Sequence, residues 1–161
     1  MSVCKRLREY LDACGAKYIV ISHSPAFTAQ EIAASMHVPG REMAKTVVIK
    51  TPQGIAMCVV RAMDKIDVDL AASELGTPSA RLATEQEFRN HFPDCERGAM
   101  PPFGILYAVP TLVDAELARD REIVFNAGTH VDALRMTYAD YAAIAKPKIG
   151  NFALSPAELW H

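Results

Sequence analysis

Two apolar runs, Thr46-Val47-Val48-Ile49 and Ile55-Ala56-Met57-Cys58-Val59-Val60, flank the segment Thr51-Pro52-Gln53-Gly54. Pro52 presets the dihedral of a tight turn and Gly54 lets the chain close, so the two runs are expected to form a β-hairpin. Neither arm alternates apolar with polar residues, as a strand with one wet face would. A strand apolar at nearly every position needs cover on both sides. The hairpin therefore belongs in the middle of a sheet, with other elements packed above and below it. A chain of 161 residues, 50% of them apolar, can supply that cover within one domain. Domains usually run to ~100–200 residues, and a chain of this length buries roughly two-thirds of its unfolded surface.

The flanking sequence provides the covering elements. Val3, Leu7, Tyr10, Leu11 and Cys14 recur at steps of three and four with charged residues between them, which predicts an amphipathic helix ended by Gly15. Tyr18-Ile19-Val20-Ile21 is short and β-branched and reads as a strand. Thr28-Ala29-Gln30-Glu31 has the form of a capping box, in which the Thr hydroxyl and Glu carboxylate each satisfy a helix-end N–H. A second helix is expected from there to just before Pro39-Gly40. Asp67 and Thr84 are the expected N-caps of two short helices, through Leu75 and through His91, with Glu87 completing another capping box and a short strand at 79–82 between them. Ile105 to Val113 and Glu122 to Phe125 read as strands, and Asn126-Ala127-Gly128-Thr129 turns the chain into a further strand from Val131 to Met136. Thr137 opens a last helix. Pro147 ends the patterned region and leaves 147–161 as a C-terminal extension, with Phe152, Leu154, Leu159 and Trp160 either capping the domain or loosely attached. Hairpins with interspersed helices, and no repeat or linker, give a single α/β or α+β domain over 1–161 with a mixed sheet.

Several function classes are excluded at this point. No apolar run approaches the ~18 residues of a membrane span, and the start Met1-Ser2-Val3-Cys4-Lys5-Arg6 does not develop a secretory signal. A cytoplasmic location is expected. Cys4, Cys14, Cys58 and Cys95 share no C-x-x-C spacing and read as reduced thiols. None of the five histidines is paired at i, i+4, and no phosphate-loop, dinucleotide, zincin or nucleophile-elbow motif occurs. Neither a metal nor another cofactor is expected. The formal charge of -2 argues against broad binding of a nucleic-acid backbone. An RNA partner would be held locally, and neither DNA nor a membrane is expected.

Two places depart from simple structural patterning. Lys45 stands immediately before Thr46-Val47-Val48-Ile49, at the entrance of a buried strand. Such a lysine either snorkels to solvent or holds a positive charge beside a pocket for an anionic or carbonyl oxygen. The second place is the loop Gly98-Ala99-Met100-Pro101-Pro102-Phe103-Gly104. It is either a proline-stiffened connection or a rigid loop whose Gly98 and Ala99 N–H groups face a developing oxyanion. Cys95, between Asp94 and Glu96, is a poor nucleophile because carboxylates raise a thiol pKa.

His23-Ser24-Pro25-Ala26-Phe27-Thr28-Ala29-Gln30-Glu31, the lysine in Ala44-Lys45-Thr46-Val47-Val48, Gly98-x-x-x-Pro102-Phe103-Gly104 and Phe125-Asn126-Ala127-Gly128-Thr129-His130 occur in that order. Together they resemble the YbaK family, relatives of the editing insertion domain of bacterial prolyl-tRNA synthetase, over about Cys4 to Pro147. The resemblance implies a mixed, strongly curved β-sheet surrounded by helices, and an aminoacyl-tRNA deacylase acting in trans on a small amino acid of the Ala, Cys or Ser class. It implies Lys45, Gly98, Ala99 and His130 as catalytic residues. Phe27, Thr28, Met100, Pro102, Phe103, Gly104, Gly128 and Thr129 are implied as substrate-binding residues. The partner is then the aminoacyl-tRNA acceptor end, with an aminoacyl-tRNA synthetase as a second candidate. In this reading Lys45 takes the terminal phosphate or the substrate carbonyl, Gly98 and Ala99 take the oxyanion or the 3′-adenosine, and His130 orients water or supplies a hydrogen bond. Lys50, Arg61, Arg97 and Arg135 are the further cations available to an RNA end.

Two other classes compete. One is a non-catalytic module of the same fold that binds an aminoacylated end, a nucleotide or a synthetase. The other is a hydrolase of small esters unrelated to tRNA. Retention of both Lys45 and His130 favours the deacylase.

Overall fold

The computed structural model of the chain describes residues 4–22 and 43–156. The expected second helix, and with it Phe27 and Thr28, lies outside the described residues. Helix α1, Lys5–Ala13, buries Leu7 and Leu11 on one face, and Gly15 follows with φ +67°. The left-handed value there is the one glycine adopts without cost. Strand β1, Ile19–Ser22, comes next.

The apolar hairpin forms as expected, from β2, Ala44–Thr51, and β3, Gly54–Arg61. Its register runs from Ala44 opposite Arg61 to Thr51 opposite Gly54. The Thr51 hydroxyl donates to the Gly54 carbonyl at 2.9 Å, which closes the turn. Strand β4, Lys65–Ile66, leads to α2, Val68–Leu75. The Asp67 carboxylate caps α2, accepting the N–H groups of Asp69 at 3.0 Å and Leu70 at 3.1 Å.

Four expected bounds are corrected. The strand at 79–82 contracts to β5, Arg81–Leu82, which pairs with Ile49 and Lys50 alone. The helix through His91 is α3, Glu85–Phe88, followed by a 3-10 turn at Arg89–His91 that swings Phe92 into the core. Its capping box is present: the Thr84 N–H donates to Glu87 Oε1 at 2.9 Å. Ile105 to Val113 is not one strand. Gly104–Tyr107 is a 3-10 turn ending at Ala108 with φ +55°, and β6 begins only at Thr111–Asp114. The cause is packing at Gly104, where an added Cβ would stand 2.1 Å from Thr111 Oγ1 and 2.3 Å from the Val109 carbonyl oxygen. The chain doubles back on itself there, which an extended segment cannot do. Regular structure also does not end at Pro147.

Beyond β6 come α4, Ala115–Ala118; β7, Glu122–Asn126; β8, Asp132–Thr137; α5, Tyr138–Ala145; β9, Lys148–Gly150; and β10, Ala153–Leu154. The Asp114 carboxylate ties the last of these down. Its Oδ1 accepts the N–H groups of Phe152 at 3.0 Å and Ala153 at 2.9 Å, and the Phe152 ring is buried.

One sheet has the order β5-β2-β3-β6-β9, with antiparallel and parallel pairs mixed; β1-β8-β7 forms a second and β10-β4 a third. A parallel bridge between Met43 and Val124 joins the first two sheets. The hairpin is covered on both faces. On one side Val48, Met57 and Val59 pack with Leu7, Leu11, Phe103, Phe125, Leu134 and Tyr141. On the other, Ile49, Ala56, Cys58 and Val60 pack with Ala71, Leu112 and Phe152. Each large side chain so buried contributes about 1.5–3 kcal/mol, so the two clusters account for the unbroken apolar pattern of both arms.

Candidate active site

Lys45 occupies a notch in the sheet. One edge of β2 is taken by β3 along its whole length. Its other edge meets β7 at Met43 and β5 at Ile49 and Lys50, with the Val48 carbonyl accepting from Ala83 N–H at 3.0 Å. Residues 44–47 lie where β7 and β5 part. Residues in β-partnership point to the same side of a sheet, and alternate residues along a strand do too. Ile19, Arg135, Val124 and Met43 are successive partners across β1, β8, β7 and the approach to β2. Two residues further in the same parallel direction, Lys45 and Asn126 emerge on the same face as that row. The opposite face of β7 and β8 carries Ile123, Phe125, Leu134 and Met136 into the core.

The Lys45 side chain lines a groove of about 520 Å³ with Val47, Lys65, Ile66, Val68, Arg81 and Leu82. Apolar side chains and three cations, Lys45, Lys65 and Arg81, make up that lining. Burial holds the Lys45 ammonium below the ordinary lysine range; the Asp64 charge opposes that shift and Lys65 reinforces it. Asp64 is itself committed to Arg61, with Arg61 Nε donating to Asp64 Oδ2 at 2.8 Å and Arg61 Nη2 to Oδ1 at 3.2 Å. Arg81 is gripped by both carboxylate oxygens of Glu87, each at 2.7 Å. Among the described residues, Lys45 and Lys65 have no carboxylate within ion-pair distance. A larger cavity of about 600 Å³ lies at the turn end of the hairpin, lined by residues among which His91 alone is titratable.

The Gly98 loop is laced to the β7–β8 turn. Glu96 N–H donates to the Gly128 carbonyl at 2.8 Å, Gly128 N–H to the Ala99 carbonyl at 2.9 Å, and His130 N–H to Glu96 Oε1 at 2.8 Å. His130 Nε2 bonds to the Arg97 carbonyl. A carbonyl partner makes Nε2 the protonated nitrogen. Gly98 has φ +78°, the sign required at the third residue of a type II turn. Ala99 N–H closes that turn on the Glu96 carbonyl at 3.0 Å. The lacing leaves Ala99 inside the turn, fully buried, with its N–H spent. Gly128, at φ +97°, lies against Cys4, and an added Cβ would come within 2.7 Å of the Cys4 Cβ. Below the loop, Phe103 is 0% exposed, with its ring centroid 5.5 Å from Phe125 and 5.3 Å from Tyr141. Tyr141 Oη donates to the Pro102 carbonyl at 2.8 Å. Met100, Pro102 and Gly104 are buried alongside, and the Thr129 hydroxyl donates to Asp132 Oδ2 at 2.8 Å.

Burial first, and Asp94 next to it, push the Cys95 thiol up to about 12, so no thiolate forms there at neutral pH. Asp94 instead anchors the loop, accepting from Tyr107 Oη at 2.9 Å and Cys4 Sγ at 2.9 Å. Among the described residues no cluster of His, Cys, Asp and Glu is arranged to hold a metal ion. No helix among them is long and apolar enough to cross a membrane.

The sequence from residue 23 to residue 144 matches the family described as the aminoacyl-tRNA editing domain, a span that holds Lys45, the Gly98 loop and the turn to His130. The chain belongs to the aminoacyl-tRNA editing domain family. It is a hydrolase that acts on the ester bond of aminoacyl-tRNA. An Escherichia coli (strain K12) relative named multifunctional Ser/Thr-tRNA deacylase ProXp-y is 29% identical over 153 residues, covering 92% of this chain and 91% of its own. Among solved structures, a candidate trans-editing enzyme for prolyl tRNA synthetase superposes with a TM-score of 0.80 at 22% identity, covering 94% of this chain and 97% of its own. A hypothetical protein superposes with a TM-score of 0.84 at 18% identity, covering 93% of this chain and all of its own. At those identities the likeness is one of fold, and it agrees with the single α/β domain and its mixed sheet.

Sequence reasoning missed two residues of this region. Asp64, which holds Arg61 beside Lys45, lies on the turn after β3 and has no periodic signal. Asn126 read only as part of a turn, yet its Oδ1 is buried without a hydrogen-bond partner among the described residues. Of the cations expected near the site, Arg61 and Arg97 are tied to Asp64 and Glu85. Lys50, an odd number of residues along β2 from Lys45, faces the other side.

Proposed function

We propose that the protein clears mischarged tRNA carrying a small amino acid of the Ala, Cys or Ser class, acting in trans at the acceptor end. The observation that carries this reading is the half-buried Lys45 ammonium in the notch between β7 and β5, with an apolar groove in front of it. A single charge of that kind suits one oxygen that becomes anionic. It does not suit a long phosphate track.

In the reaction a water adds to the ester carbonyl carbon. The bond from that carbon to the terminal ribose oxygen breaks, and the proton of the water ends on that ribose oxygen. Lys45 stabilises the oxyanion formed between these events, an effect typically worth about 10²–10³-fold in rate. An aminoacyl ester is already activated, so positioning and one well-placed charge suffice without a nucleophilic side chain. Gly98 presents the rim of its turn to the substrate. Ala99, Met100, Pro102, Phe103 and Gly104, inside or beneath that turn, hold its shape. His130 orders the same turn through Arg97 and Glu96. Selectivity comes from volume: a site of fixed wall position excludes a larger correct amino acid and admits a smaller error.

Release of amino acid from a panel of tRNAs charged with Ala, Cys, Ser, Thr and Pro tests the reading. Seryl-tRNA is the first substrate to try, given the name of the E. coli relative. Hydrolysis of at least one small-residue ester, with prolyl-tRNA spared, is expected. Tight binding of the panel with hydrolysis of none would support the module reading instead.

A further inference from the structure

We propose that Arg135 is the residue that binds the 5′-phosphate of the terminal adenosine, at the end of a polar row that Lys45 and Asn126 continue towards the ester. The inference deepens the editing reading and rests on it. Arg135 stands on β8 between Ile19 of β1 and Val124 of β7, and Val124 in turn bridges Met43, two residues before Lys45. Arg135 and Lys45 are therefore on one continuous face, separated by β7. Asn126, diagonal to Arg135 on that face and level with Lys45, lies between them.

Two observations make this a receptor and not a surface charge. Arg135 Nε is fully buried and has no hydrogen-bond partner among the described residues, and Arg135 forms none of the ion pairs there. A guanidinium keeps its charge at every relevant pH and presents a planar fork matched to phosphate oxygens. A buried donor of that kind without an acceptor is the exception in a folded protein and calls for an explanation. Asn126 Oδ1, likewise buried and without a partner, adds an acceptor beside it. The β1 edge of the face is open, since Ile19, the cross-strand partner of Arg135, is 59% exposed, while Val124 and Met43, between Arg135 and Lys45, are buried. A cation for the phosphate, an amide for a donor on the nucleoside or amino acid, and a second cation for the carbonyl follow the order of groups along an aminoacylated 3′-terminus.

The test uses two non-hydrolysable mimics, 3′-deoxy-3′-(serylamido)adenosine with and without a 5′-phosphate, and measures their Kd for wild type, R135Q and R135K by calorimetry. The phosphate is expected to tighten wild-type binding by about tenfold or more, the size a charge-assisted hydrogen bond implies. R135Q should lose that gain while binding the phosphate-free mimic as wild type does, and R135K should keep part of it. R135K alone decides if R135Q fails to fold, and an undiminished gain in it overturns the proposal. So does a gain absent from wild type, a gain that survives in R135Q, or an equal loss for both mimics. The binding readout separates this from the editing reading. A phosphate gain lost in R135Q, in a protein that hydrolyses no mischarged tRNA, would keep the assignment of Arg135 and remove the deacylase.

Discussion

Met43 and Val124 form the parallel bridge that joins β2 to β7, and through it Lys45 sets off beside Asn126 on one face of the molecule. The bridge is short, and β5 takes over the same edge of β2 at Ile49. A strand edge shared by two neighbours that diverge leaves a gap, and in this chain the gap holds a lysine. Desolvation is the cost of placing it there, and the lowered affinity of Lys45 for its proton is the signature of that cost.

The cost should be measurable. Because the folded protein holds Lys45 below its ordinary 10.5, the unfolded chain binds more protons in the window between the lowered value and 10.5, and stability due to this group rises with pH across that window. Below the window the charged lysine destabilises the fold. Thermal melts at neutral pH are expected to show Lys45→Met at least as stable as wild type although inactive. Enzymatic deacylation, corrected for spontaneous ester hydrolysis, should decline with rising pH before the ordinary lysine range is reached. A lower Tm for Lys45→Met would mean that Lys45 stabilises the fold.

The two left-handed glycines of the loop pair separate by what surrounds them. Gly98→Ala meets only His130 Cε1, at 3.6 Å, and bears the backbone strain alone, about 1–2 kcal/mol. Gly128→Ala adds a 2.7 Å approach to Cys4 Cβ, so about 2–5 kcal/mol is expected once crowding is included. Urea unfolding of both variants checks the order. Equal losses would show that the Cys4 contact relaxes freely.

Tyr141 supports the loop from below through its bond to the Pro102 carbonyl. Tyr141→Phe leaves that carbonyl buried without its donor, for about 1–3 kcal/mol. The fall in stability should come with a fall in kcat and a nearly constant KM, because the turn above loses its fixed position while the groove walls remain. A rise in KM alone would place Pro102 in direct contact with substrate.

Much of the fold was legible. The unbroken apolar arms of the hairpin dictated burial on both faces, and the Asp67 and Thr84 caps were found because capping chemistry is local. The 3-10 turn at Gly104–Tyr107 was not legible, because Ile105-Leu106-Tyr107 is apolar enough for a strand and only the contact of Gly104 with Thr111 and Val109 forbids one. Strand β9 was missed because its three residues pair parallel with β6 and have no pattern of their own. In the site, Lys45 and the Gly98 loop stood out as breaks in patterning. The polar row through Asn126 and Arg135 depends on which strands neighbour which, and that is set by the bridge at Met43. No local spacing encodes it.

The formal charge of -2 and the small number of cations on the site face predict a modest RNA footprint. With about two to three phosphates neutralised, log K for tRNA binding should fall with log salt at a slope of roughly -2, at about -0.7 per phosphate for a single strand. A slope several times steeper, from filter binding across a salt series, would reveal a second basic surface.

Catalysis here centres on Lys45, and the decisive comparison is single-turnover hydrolysis of the fastest mischarged tRNA by wild type and Lys45→Ala. The variant is expected to react at least about 10²-fold more slowly, with binding of the uncharged tRNA reduced far less. Equal rates for the two proteins would contradict that role.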